Sequence, residues 1–196
     1  MPDTRDRGVR SQKYDAEGMV WKKIVIRHLT PCQGKLYFRA SMVKHGILEF
    51  NPHPTIRIVP MHSLPRVVPP NPWGFVAHGC RFEMDGEPHQ FFVFYYEDPA
   101  VATSIALYRI DVDREQWCEV DDIGDRALLW SGYRGGCCSA SKFGMELNCV
   151  YMIHDYDSSL HIFNITERTE RVCFHPSKDD IPELSAEAFW LLPSTN

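Results

Sequence analysis

Three aromatic residues set the frame for this chain. Tyr37, Phe94 and Tyr151 recur at intervals of 57 residues, and each sits in a short β-type run followed by a second one. The pairs are Lys35-Leu36-Tyr37-Phe38 with Ile47-Leu48-Glu49-Phe50-Asn51, Phe92-Val93-Phe94-Tyr95 with Leu107-Tyr108-Arg109-Ile110-Asp111, and Cys149-Val150-Tyr151-Met152 with Leu160-His161-Ile162-Phe163-Asn164. A period of roughly 50 residues made of short strands is the mark of stacked repeats, because one such unit cannot bury its apolar faces alone. The expected class is therefore all-β: a partial β-propeller of about three four-stranded antiparallel blades. Closed propellers take roughly four to eight blades. Three units leave sheet edges and apolar faces open, which favours association with a partner.

Punctuation between the runs agrees with this period. Pro31 and Gly34 lead into the first unit, Lys44-His45-Gly46 reads as a turn, and Asn51-Pro52-His53-Pro54 reads as a tight one. The proline-dense stretch 60–74 is expected to connect the first and second units. Asp85-Gly86, Val112 to Glu115 and Asp121 to Arg126 read as further turns, and Gly132 to Gly136 as a loop between strands. Phe91 to Tyr96 is nearly continuous aromatic sequence, which implies burial on both faces. Residues 1–18 read as a flexible tail and 19–196 as the domain. Asp179 to Ala188 allows a short helical turn, and Phe189-Trp190-Leu191-Leu192-Pro193 forms an apolar plug.

Charge and cysteine usage narrow the function classes. The chain has 21 Lys and Arg against 26 Asp and Glu, a net charge of −5. Arg5, Arg7, Arg10 and Lys13 are diluted by Asp3, Asp6 and Asp15, so no nucleic-acid partner is expected; such binders cluster their basic residues. Met1 to Gly18 lacks the apolar run of a secretory signal. No segment approaches the ~18 consecutive apolar residues of a membrane span, so no membrane partner is expected either. Seven cysteines without a C-x-x-C pair are expected as reduced thiols in the cytoplasm or nucleus.

Motifs with chemical potential reduce to structural readings. Cys137, Cys138, Cys149 and Cys173 with His154, His161 and His175 invite a zinc site. Adjacent cysteines on a strand point to opposite faces, however, so inert buried thiols are the stronger expectation. His154, Asp155 and Asp157 fall in a hairpin loop where Asp serves turn geometry. Ser139 and Ser141 belong to no nucleophile elbow. Gly124-Asp125-Arg126 reads as a turn with an Asp–backbone bond and a structural arginine, and Trp117 and Trp130 as blade core. No catalytic, cofactor or metal residues are assigned, and the expected protein is not an enzyme.

One stretch is more specific. Trp117-Cys118-Glu119-Val120, then Gly124-Asp125-Arg126-Ala127, a small-residue segment Gly136-Cys137-Cys138-Ser139-Ala140-Ser141, Asn148 before a strand, and the Phe189 to Pro193 ending resemble the plant F-box-associated family with a KIB-type β-propeller domain. The resemblance covers about residues 20–193 and is strongest over 105–165. It implies a propeller used for recognition of another protein, the substrate-binding part of a ubiquitin-ligase subunit. Residues 1–30 show no leucine-rich pattern of an F-box, so a ligase adaptor is an expected partner only where an F-box is supplied. The alternatives are a hydrolase-like enzyme using Asp155 and Asp157 on a propeller face, or a truncated gene product without a settled function.

Overall fold

A computed structural model describes residues 13–14, 20–21, 26, 29–41, 43–62, 75–96, 102–132, 134–154 and 158–174. Among them strands are the only regular elements apart from one 3-10 turn, Ser141–Phe143. A two-residue ladder pairs β1 (Lys13–Tyr14) with β2 (Val20–Trp21), inside and beside the segment expected as a tail. The connector at 63–74, the loop at 97–100, Asp155 and Asp157, and everything after Phe174 lie outside the described residues.

Three sheets follow in chain order. The first runs β3 (Thr30–Cys32), β4 (Lys35–Ser41), β5 (Lys44–Glu49) and β6 (Thr55–Pro60), each antiparallel to the next. The second repeats this meander with β7 (Phe75–Met84), β8 (Glu87–Tyr96), β9 (Ala102–Asp111) and β10 (Gln116–Glu119). The third contains β11 (Arg126–Ser131), β12 (Arg134–Ser139), β13 (Cys149–Ile153), β14 (Leu160–Asn164) and β15 (Thr169–Phe174), in the spatial order β12-β11-β13-β14-β15. The three evenly spaced aromatics fall on equivalent hairpins: Tyr37 pairs with Ile47, Phe94 with Ser104 and Tyr151 with Ile162. The 57-residue period is thus the repeat of one antiparallel hairpin, with an outer strand following each time.

The third sheet departs from a four-stranded meander. Its first two strands form a hairpin, and β13 then enters on the far side of β11, parallel to it, with Leu128 opposite Val150. This adds a fifth strand and places β12 at one edge. That edge lies against β7, which in turn lies against β3. The edge strands β3, β7 and β12 are therefore neighbours in succession, as at the hub of stacked blades.

Alternation explains how the sheets stack. Along β7 and β8, Cys80, Phe82, Met84, Phe91, Val93 and Tyr95 face the third sheet, where Leu128, Trp130, Val150, Met152 and Phe163 meet them in the largest core cluster. Successive side chains alternate between faces. Ile110 and half-buried Trp117 accordingly face the first sheet, against Cys32, Tyr37, Ile47 and Val59. A third cluster, with Ala127, Leu129, Cys149, Tyr151 and Ile162, covers the opposite face of the third sheet. β8 is buried on both faces, as its aromatic run requires. The outer strand β15 is exposed throughout and carries Glu170 and Arg171, the charged edge that discourages further pairing.

Two glycine segments were misleading. Lys44-His45-Gly46 is the start of β5, not a turn, and His45 is only 1% exposed. Gly46 provides close approach instead of chain reversal: a Cβ there would lie 2.0 Å from Cζ of the fully buried Phe38. Likewise Gly135 and Gly136 belong to β12, and a Cβ on Gly135 would meet the Cys80 sulfur at 2.4 Å. The bare backbone is what lets β12 reach β7.

Candidate functional site

The turns at one end of the stack form the most organised surface. Two-residue reversals at Gln33-Gly34 and Asp85-Gly86 both carry positive φ, the geometry that suits a right-twisted hairpin. They abut each other: a Cβ on Gly86 would lie 2.9 Å from the Gln33 side-chain nitrogen. The Cys32 thiol donates to the Gly86 carbonyl at 3.3 Å, tying the first sheet to the second. The Cys137 thiol donates to the Glu83 carbonyl at 3.3 Å, and Arg126 ion-pairs with Asp85, tying the second to the third.

Asp125 is the best-anchored carboxylate here. One oxygen accepts the Ser141 backbone N–H at 2.8 Å, and the other accepts both the Ser139 and Ser141 hydroxyls at 2.8 Å. Those hydrogen bonds hold its carboxyl below the usual range. The expected Asp–backbone bond is therefore real, but it spans the β11–β12 hairpin; within the turn itself Asp122 accepts from Gly124 N–H at 2.7 Å. Arg126 is structural, as expected, through its pair with Asp85. Further out, Asn148 accepts from Ile123 N–H at 2.9 Å and bonds Thr166, whose hydroxyl donates to the Asp121 carbonyl at 3.1 Å. Arg109 pairs with Glu87 at 2.9 Å. Asp121 and Asp122 remain exposed beside this network.

The residues with suspected chemistry are dispersed. Cys137 joins the cluster facing the second sheet, and Cys138 the cluster on the opposite face, as neighbouring strand positions dictate. Among the described residues, no three His, Cys, Asp or Glu side chains converge to hold a metal. Burial, aided by Glu83 and Glu87, pushes the Cys32 thiol up to about 11; burial also raises Cys80, Cys137, Cys138 and Cys149. Such thiols are protonated at neutral pH and poor nucleophiles. Ser139 and Ser141 bond to Asp125, an arrangement that clasps a hairpin. His154 is buried, 5.6 Å from the Tyr95 ring and 5.1 Å from that of His161, whose Nδ1 contacts Glu170. Trp130 is core, fully buried and edge-on to Phe91 at 5.8 Å.

Sequence reasoning missed two features. The Asp125 clasp joins residues 14 and 16 positions apart, a contact that exists only once β11 and β12 pair. The second is a group of buried nitrogens between the first two sheets. Among the described residues His45 and Arg81 carry no acidic partner there: burial, with the charges of Arg81 and Arg39, pushes His45 down to about 3, and burial, with Arg39, pushes Arg81 down to about 9.

Residues 8–174 match the family model of the KIB1-4 beta-propeller. Comparisons with curated proteins and with solved structures give no match. The match spans most of the chain and coincides with the stacked, blade-like sheets, and the chain belongs to the KIB1-4 beta-propeller family.

Proposed function

We propose that this propeller module is non-catalytic and recognises another protein through its turn surface, in the manner of the substrate-binding part of an F-box protein. The observation that carries the reading is the cross-tying of that surface. Turns from three sheets are fastened to one another by Cys32, Asp85, Arg126 and Cys137, so the loop tips form one rigid platform and lose little entropy on docking. Its polar groups are committed to structure: Asp125 to two serines, Glu87 to Arg109, Asp85 to Arg126. The exposed carboxylates of Asp121 and Asp122 favour a basic patch on the partner, since complementary charge steers encounter and rejects wrong partners.

The test is quantitative affinity capture from cell extract with the full chain as bait. It compares the wild type, Asp121→Lys with Asp122→Lys, and the control Lys44→Glu at the end of β5 away from the Gln33-Gly34 turn. A specific protein is expected with wild type and control, lost with rising salt, and recovered at least tenfold less by the double variant. Equal recovery by all three baits, or no specific protein with any, refutes the reading.

A further inference from the structure

Beside the apolar cluster between the first two sheets, the facing strands present nitrogens. From β7, Arg81 uses Nε to donate to the Gln90 side-chain oxygen at 2.9 Å. The Gln90 amide is itself spent on the carbonyls of Cys80 at 3.0 Å and Phe91 at 3.2 Å. That fixes the guanidinium and leaves buried Nη1 with no hydrogen-bond partner. From β10, the Trp117 ring lies 5.9 Å from Tyr108 and 6.3 Å from Phe92, and its buried Nε1 has no partner either. From β5, His45 meets the Trp117 ring edge-on at 4.8 Å, and its Nδ1 is the third orphan. Arg39 stands directly across the β4–β5 ladder from His45, exposed at the margin.

Guanidinium and indole N–H groups only donate, and imidazole Nδ1 donates in one tautomer. Buried donors without acceptors are rare in folded proteins and call for an explanation. These three come from three strands and two sheets, and are joined by the contacts of Trp117 and the charges that bear on His45. Among the described residues no carboxylate pairs with Arg81. What is missing is an acceptor carrying negative charge, which also excludes a cation as the occupant.

We infer that the wedge between the first and second sheets is a binding site for one oxyanion, a carboxylate or phosphate group, held by Arg81, Trp117 and His45. Arg81 supplies the charge and part of its fork. The Trp117 indole supplies a directed N–H, and Tyr108 and Phe92 keep its ring in place. Arg39 attracts the anion from solvent. The site is separate from the turn surface, and either can fail without the other.

The experiment follows the indole N–H resonances of the full chain labelled with nitrogen-15 tryptophan; there are five tryptophans. Sodium phosphate and sodium acetate are titrated against sodium chloride at constant ionic strength. The Trp117 resonance, assigned by its loss in Trp117→Phe, is expected to move saturably, with half-saturation at ~1 mM, and chloride to leave it in place. Saturation by acetate and phosphate alike points to a carboxylate-sized group as sufficient; saturation by phosphate alone points to phosphate as the ligand. Arg81→Met is expected to weaken the response at least tenfold. Should that variant not fold, Arg39→Gln serves, with an expected severalfold weakening. A Trp117 resonance unmoved by both anions, or one that moves equally in the arginine variant, overturns the inference.

Discussion

His45 illustrates how much one side chain records of its surroundings. It pairs across the sheet with Arg39 and Val59, lies against Trp117, and is almost wholly removed from water. Burial, reinforced by Arg81 and Arg39, drops it from its ordinary 6.5 to about 3. The unfolded chain therefore takes up this proton before the folded one does. Stability is intact above about pH 6.5 and declines as pH falls toward 3, where the folded state protonates as well. Between pH 7 and pH 4.5 the expected loss from this group is about 2 to 3 kcal/mol. His89, also lowered by burial, acts in the same direction. Urea denaturation at the two pH values checks this: His45→Phe should reduce the pH dependence, and an unchanged slope would remove His45 from the account. Sequence gave no hint of this role, because a histidine flanked by Lys44 and Gly46 has the composition of a turn. Its burial follows from a strand pairing that local pattern does not encode.

At the scale of elements, the repeated hairpin was legible and its neighbours were not. Tyr37, Phe94 and Tyr151 stand on equivalent strands because alternation and aromatic content mark a strand packed between two layers. The turns at Asp85-Gly86 and Val112 to Glu115 were equally readable from their residue types. Glycine was the source of error. In β5 and β12 it marks a place where another group approaches the backbone, and that demand comes from a remote residue, Phe38 for Gly46 and Cys80 for Gly135. Gly46→Ala is accordingly expected to destabilise the protein by about 1–3 kcal/mol, the range for overpacking a filled site. The Phe38 ring is fully buried and has no room to retreat. Gly34, with nothing near its Cβ position, should be affected only through its positive φ. Thermal denaturation of the alanine variants distinguishes the two; a Gly46→Ala protein as stable as wild type would contradict the tight Phe38 contact.

For the whole molecule, the interfaces between sheets are unequal. The second and third sheets share the largest apolar cluster, centred on Phe91, Trp130, Val150 and Met152. The first sheet is joined by a smaller cluster, beside which Arg81, His45 and Trp117 leave donors unsatisfied. Each such buried group costs about 1–3 kcal/mol. The first sheet is therefore expected to open before the others. Amides of Phe38 and Ile47 should exchange with deuterium at least tenfold faster than those of Val93 and Leu128, read by exchange mass spectrometry or NMR. Uniform rates across the three sheets would instead indicate one cooperative unit. The Arg126–Asp85 pair lies at the surface between the second and third sheets, and the single Cys32 thiol bond to Gly86 is too weak to erase that ranking.

The placement of β13 beside β11, in the same direction and with β12 displaced to the hub, also bears on how the polypeptide comes together. A meander grows by zippering, each new strand laid against the one just made. Here the most recent strand is the wrong neighbour. The growing chain must hold one flank of β11 vacant while β12 and the Ser141–Phe143 turn are completed, then bring the next segment back to fill it. Assembly of the last blade waits on an arrival from further along the chain.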